Sequence, residues 1–241
     1  MNEKLKISPP NAKLASLQVE SLSLLSGYTC PFASACSAKV DKKTHRIIDG
    51  PDTVFRCFSA SQEAAFSSVF RQRAHNTRLL QSCTSAGEMT ALLSRSIRRG
   101  LDPFRIHVAG DFFSQKYFDS WIAYAEENPY RTFYAYTKSL IYWVNRLPEI
   151  PANLVLTASH GGRNDDLIQR YGLRSAVVVS HPSEARRLGL EIDHDDSRAI
   201  SNGGSFALLL HGTQPAGSES SRAIKQMNRE QIRYQYSKAA A

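Results

Sequence analysis

The chain has 241 residues, 42% of them apolar and 22% charged, which is the composition of a soluble globular protein with a sizeable core and not of a disordered one. Thirty Lys and Arg against 22 Asp and Glu leave a formal charge of +8, a balance that attracts polyanions and keeps nucleic acid among the expected partners. No apolar run approaches the roughly 20 residues that span a bilayer, and "MNEKLKISPPNAKLASLQ" lacks a signal-type apolar core, so the expectation is a cytoplasmic protein without a membrane partner, in which structural disulfides are disfavoured.

Residues 1–18 read as an arm, followed by a strand at 19–25 carrying Val19, Leu22, Leu24 and Leu25. Directly after it, "SGYTCPFASACSAKV" sets Cys30 and Cys36 in a turn-prone run of small residues, and "FRCFSAS" adds Cys57 just before a helix. Helices are expected near 59–81 and 86–99. On the first, in a basic segment that also carries Arg73, Arg71 and Arg78 stand a heptad apart on one face and are expected to form a modest phosphate-binding stripe. Cys83, between the two helices, reads as a small buried hydrophobe, with a fourth-ligand role as the alternative. "FRIHVAGD" is a strand at 104–109, and in the helix that follows Tyr117, Phe118, Trp121, Ile122 and Ala125 recur at spacings of three and four until Asn128-Pro129 stops it. Further strands are expected at 132–137, 154–158, 176–180 and 206–211, each running into a polar loop. The last residues, 216–241, read as a basic helix with Tyr234 and Tyr236.

Near-continuous apolar strands alternating with helices imply a parallel sheet covered by helices. Six β/α units favour a single α/β domain over 1–241: an open, partial β/α barrel of about six parallel strands, TIM-barrel-like, with its core at 19–215. A doubly wound sheet is the alternative. In either architecture ligands bind at the C-terminal ends of the strands, where this chain places Cys30 and Cys36, Gly110-Asp111, Thr137-Lys138-Ser139, Ser159-His160-Gly161-Gly162, Ser180-His181 and His211-Gly212.

Three chemistries compete for that rim. Cys30, Cys36 and Cys57 offer three soft thiolates, which select an iron-sulfur cluster, zinc or copper(I), and three protein ligands to a four-iron cluster leave one iron open. Alternatively, His107, Asp111, His160, His181, His194, Asp195 and His211 hold enough imidazole and carboxylate for a metal-dependent hydrolase. The third reading is a nucleic-acid-binding replication initiator that attacks DNA through Tyr234 or Tyr236. A Walker-type phosphate loop, G-x-G-x-x-G and G-x-S-x-G are all absent, which disfavours nucleotide triphosphate hydrolysis, ordinary dinucleotide binding and serine hydrolase chemistry.

"TCPFASAC", "DGPDTVFRCFSASQEAAF", "HVAGDFFSQKYFDSWIAYAEENP", "FYAYTKS", "NLVLTASHGG" and "FALLLHGTQPAGS" together resemble the phage family labelled gene product eighty-eight, over most of residues 20–220. The layout is in turn similar to the radical SAM enzymes, whose partial barrel carries cluster cysteines after its first strand and Gly-Gly-Glu after its second. The resemblance implies a 4Fe-4S cluster on Cys30, Cys36 and Cys57 with S-adenosylmethionine (SAM) beside it, although C-x5-C-x20-C replaces the usual C-x3-C-x2-C. It implies cofactor contacts from Gly110, Asp111, Lys138, Ser139 and His211, with Asp111, Lys138 and His160 as catalytic residues acting on an unknown substrate. The cluster would give one electron to SAM, and the 5'-deoxyadenosyl radical so formed would abstract hydrogen from that substrate.

Overall fold

A computed structural model describes residues 3–100 and 102–235. In chain order its elements are β1 (Glu20–Ser21), β2 (Ala38–Val40), β3 (Ile47–Asp49), α1 (Phe58–Ala65), α2 (Ser67–Ser82), α3 (Ala86–Ser96), β4 (Phe104–Arg105), α4 (Gln115–Glu126), β5 (Phe133–Thr137), α5 (Leu140–Val144), β6 (Leu154–Ser159), α6 (Asp166–Arg170), β7 (Ser175–Val179), α7 (Pro182–Arg187), α8 (Ser197–Ile200), β8 (Phe206–Leu209) and α9 (Glu219–Arg229). Six strands pair in parallel in the order β1-β4-β5-β6-β7-β8, and the sheet curls into a half-barrel. The expected open barrel is thus the architecture found. β2 and β3 form a separate antiparallel hairpin between Cys36 and Cys57 that the sequence reading did not place.

The regular ladder of β1 and β4 is short because the β4 backbone bends after Arg105, yet bonding continues to the rim. Leu24 N donates to Ala109 O at 2.8 Å and Val108 N to Leu22 O at 3.3 Å, so the segments 19–25 and 104–109 run side by side. The sheet edges are covered by irregular chain, which removes templates for further strand addition. Ser8 bridges to Ser21 on the β1 side, and Ile192 bridges to Ala207 on the β8 side.

α4 is capped by Ser114, whose Oγ accepts from Tyr117 N at 3.2 Å, and it buries Tyr117, Phe118, Trp121, Ile122 and Ala125 against the sheet. With Leu22, Phe104, Ile106 and Phe133 these form the larger core on the convex side. The concave side is filled by Leu14, Val19, Tyr134, Ala199 and Phe206.

One expected helix, 59–81, is two. At Phe66 the backbone is extended (φ −126°, ψ 100°), separating α1 from α2. The break lets Glu63 of α1 meet Arg73 of α2 in a buried ion pair at 3.0 Å, while Ser26 N and Oγ donate to the same carboxylate at 3.0 and 2.8 Å. Arg71 and Arg78 are both exposed, Arg71 with Nη1 on Ser67 Oγ at 3.2 Å and Arg78 paired with Glu3, whereas Arg73 points inward. The C-terminal helix is α9 alone, shorter than 216–241, and Tyr236 lies outside the described residues.

Candidate functional site

A cavity of about 180 Å³ opens at the C-terminal ends of the strands, lined by Cys30, Cys36, Cys57, Gly110, Asp111 and Lys138 over an apolar floor of Val108, Val178 and Leu208. All four cysteines are free, and three of them reach this cavity. Cys83 does not; it ends α2, with Sγ on Leu79 O at 3.4 Å.

The chain brings the three cysteines together by stapling their loops to strand ends. Gly161 O accepts from Ser34 N and Ala35 N at 3.1 and 2.9 Å, and Phe32 O accepts from Arg163 N at 2.9 Å, so the "SHGG" loop after β6 grips the Cys30–Cys36 segment. Gly161 has φ +89°, and a Cβ there would meet Ala35 Cβ at 2.8 Å, which accounts for glycine at this close approach. Ala35 O in turn accepts from Val54 N and Phe55 N at 2.8 and 3.1 Å, tying in the approach to Cys57. Gln214 completes the clamp from beyond β8: its Oε1 accepts from Arg56 N at 2.7 Å and its Nε2 donates to Arg56 O at 3.1 Å. Sequence reasoning missed Gln214, because a clamp 158 residues away leaves no local signal.

Asp111 is buried and committed to its neighbours. It accepts from Thr137 Oγ1 at 2.6 Å, Lys138 N at 2.8 Å and Phe112 N at 2.7 Å, locking the end of β5 to the turn after β4. Burial raises its carboxyl above the usual carboxylate value against the pull of these donors. Lys138 is also buried, with Nζ held by Ser159 Oγ and His160 O, both at 2.6 Å, and Ser159 O at 3.2 Å. All three are neutral acceptors, so the ammonium charge is left to act on the cavity.

The thiols feel that charge unequally. Burial pushes Cys30 well above its ordinary value, helped by Asp111 and the other two thiols. Burial also carries Cys36 to about 11, with Lys138 opposing the rise and Cys57 adding to it.

Two expected site residues lie elsewhere. Ser139 Oγ donates to Phe112 O at 2.7 Å and its N donates to Thr137 Oγ1 at 2.9 Å, so it braces the rim outside the cavity lining. The His160 ring turns away from the cavity to Ser175 Oγ, 3.0 Å from its Nε2, and only its carbonyl serves the site through Lys138.

The remaining histidines scatter. His181 caps α7 and meets Glu230 at 2.8 Å, and His194 Nδ1 accepts from Gln235 N at 3.2 Å. His107 reaches the cavity wall, but burial and the Arg105 charge lower it to about 3, so it is neutral. His211 lines the rim with its ring centroid 4.6 Å from Phe58. Among the described residues no three His, Cys, Asp or Glu side chains gather tightly enough to hold one metal ion. The Tyr234 hydroxyl donates to Leu209 O at 2.8 Å, packing the C-terminal segment against β8.

Arg105 and Tyr136 also line the cavity, leading down to Asp196. Arg105 was not among the expected site residues, although a cation between buried Phe104 and Ile106 is itself a signal in the sequence.

The curled parallel sheet and the thiol-lined cavity at its C-terminal rim place the molecule among α/β half-barrel proteins. The chain belongs to the Gene product 88 family, whose model matches residues 1–227. It is similar to the Gene 88 protein of Mycobacterium phage L5, 32% identical over 120 residues that cover 46% of this chain and 44% of the relative. The match thus spans less than half the length of that curated relative. No solved structure matches the chain.

Proposed function

We propose that this phage gene product is an iron-sulfur protein of radical SAM-like type, with a 4Fe-4S cluster on Cys30, Cys36 and Cys57 and SAM bound beside it. The observation that carries the reading is the convergence of three free thiols, all from the excursion between β1 and α1, on one cavity at the strand ends. A cubane takes its thiolates on separate iron corners, so it asks for cysteines around a space and not for three at one point. The raised thiols fit such a group: without cations they stay protonated, and metal loading displaces their protons. When bound, the cluster and SAM would supply one-electron cleavage of SAM and hydrogen abstraction from a substrate.

The chain's own residues position and charge the space. Lys138, presented by Ser159 and His160, faces the cavity as a cation for the carboxylate of an amino-acid moiety. Gly110, at φ +84°, lines the cavity in the turn that Asp111 anchors. Asp111 here is a positioning residue.

Anaerobic purification with iron, sulfide and absorbance analysis, beside a Cys30→Ala/Cys36→Ala/Cys57→Ala variant, tests the reading. The expected result is a brown wild-type protein with about four irons per chain, lost in the variant. A wild type that stays colourless after reconstitution overturns it.

A further inference from the structure

The β2–β3 hairpin rises from the wall of the cavity. Its root is Ser37, whose carbonyl accepts from Gly50 N and Thr53 Oγ1, both at 2.6 Å, next to Cys36. On the returning strand, Asp49 pairs with Arg56, beside Cys57, at 2.5 Å. One hairpin is thus built into the segment joining two of the three cavity cysteines.

Its outer surface is strongly basic. Lys39, Lys42, Lys43 and Arg46 are exposed, and among the described residues none of the four has a carboxylate partner. Elsewhere many cations are neutralised, as Arg56, Arg73, Arg78, Arg105 and Arg146 are. The hairpin's one acid at the tip, Asp41, is spent on the turn: its Oδ1 accepts from Lys43 N at 3.0 Å, Thr44 N at 2.7 Å and Thr44 Oγ1 at 2.9 Å. Tyr28, anchored by its hydroxyl to Val40 O, holds Lys42 and Lys39 near its ring, with the ammonium groups 4.6 and 5.4 Å from the centroid.

The face also carries apolar groups. Ile48 stands opposite Lys39 in the ladder and is 47% exposed, while Val54, on the way to Cys57, is 70% exposed. Unpaired cations with neighbouring exposed apolar side chains suit a chain of phosphates whose sugars and bases need contact as well.

We propose that the β2–β3 hairpin binds the phosphodiester backbone of nucleic acid through Lys39, Lys42, Lys43 and Arg46, so that the substrate presented to the cavity is a nucleic-acid strand. The identity of the strand as substrate rests on the cofactor reading above, whereas binding at the hairpin does not.

The test is fluorescence anisotropy with short labelled oligothymidine and oligouridine strands, using the purified protein with its iron content measured on the same sample. Four phosphate contacts to a single strand weaken binding about 50-fold between about 50 and about 200 mM salt. Lys39→Glu/Lys42→Glu/Lys43→Glu/Arg46→Glu should abolish binding and flatten that salt dependence, with the unfolding transition retained. Arg170→Glu/Arg186→Glu/Arg187→Glu/Lys225→Glu, which makes the same change in charge at exposed positions away from the hairpin, should retain most of the binding. Equal loss in both variants, or no binding of either strand by the wild type at low salt, overturns the proposal. Wild type that takes up no iron on anaerobic reconstitution yet still binds through the hairpin would sink the cofactor reading alone.

Discussion

Arg105 Nη1 lies 2.6 Å from Asp196 Oδ2, and the carboxylate that receives it is fully buried. Lys13 Nζ approaches the other oxygen at 2.7 Å, and Tyr134 donates its hydroxyl at 3.0 Å. Burial alone would raise Asp196; the charges of Arg105 and Lys13 overcome it and hold the group at about 2. Removing the carboxylate as Asp196→Asn leaves two cations without their partner, at a cost of roughly 3 kcal/mol or more. Because the native value lies below the unfolded one of about 3.9, this stabilisation is present above about pH 4 and disappears as pH falls towards 2. Urea unfolding of wild type and variant should give a stability difference that is large at pH 7 and shrinks across that window. A difference independent of pH would mean that the carboxylate charge is not its source.

Gly110→Ala should damage the rim more than an ordinary surface substitution does. The position has φ +84°, and a Cβ would meet Thr29 Oγ1 at 2.6 Å and Leu24 Cβ at 2.7 Å. Left-handed strain and this overlap together imply a loss of about 2–4 kcal/mol. Chemical denaturation measures it directly. Near-wild-type stability would show that the segment after β1, with Leu24 and Thr29, is loosely joined to the turn after β4.

Alkylation of Cys36 in metal-free protein should be slow at neutral pH and accelerate about tenfold per pH unit until about pH 11, since the thiolate is the nucleophile. Peptide mass spectrometry after timed exposure to iodoacetamide follows it site by site. Rapid labelling at pH 7 would contradict the burial assigned to this thiol.

Lys138→Met should move the Cys36 alkylation profile to higher pH, because the ammonium is the group that pulls its value down. On the proposed function it should also weaken SAM binding at least tenfold, as expected for loss of a charge-assisted contact of about 1.5–3 kcal/mol. Lys138→Arg keeps the charge and should restore part of both properties. Equilibrium dialysis and the same alkylation series give independent readouts.

The barrel was legible because 132–137, 154–158, 176–180 and 206–211 are near-continuous apolar runs, the pattern of strands buried on both faces. α4 was legible from its three-and-four spacing. The rim was harder, since standing just after a strand does not say which way a side chain turns. Lys138 faces the cavity, whereas its neighbour Ser139 bonds to Phe112 O and His160 lends the site only a carbonyl. The β2–β3 hairpin was missed although Ala38 and Val40 alternate with Lys39, because each strand is only three residues long. The Arg105–Asp196 pair joins positions 91 residues apart, a relationship set by the curl of the sheet and absent from any local pattern.

Lys13 not only binds Asp196; its ammonium also sits 5.1 Å from the centre of the Tyr234 ring. A residue from the first strand-free turn and one beyond the last helix therefore meet at a single place on the barrel. During synthesis, the early strands can pair while the ribosome is still adding the later ones. The contact at Tyr234 has to wait until the segment beyond α9 has emerged, so it forms later than the pairing of the strands that precede it.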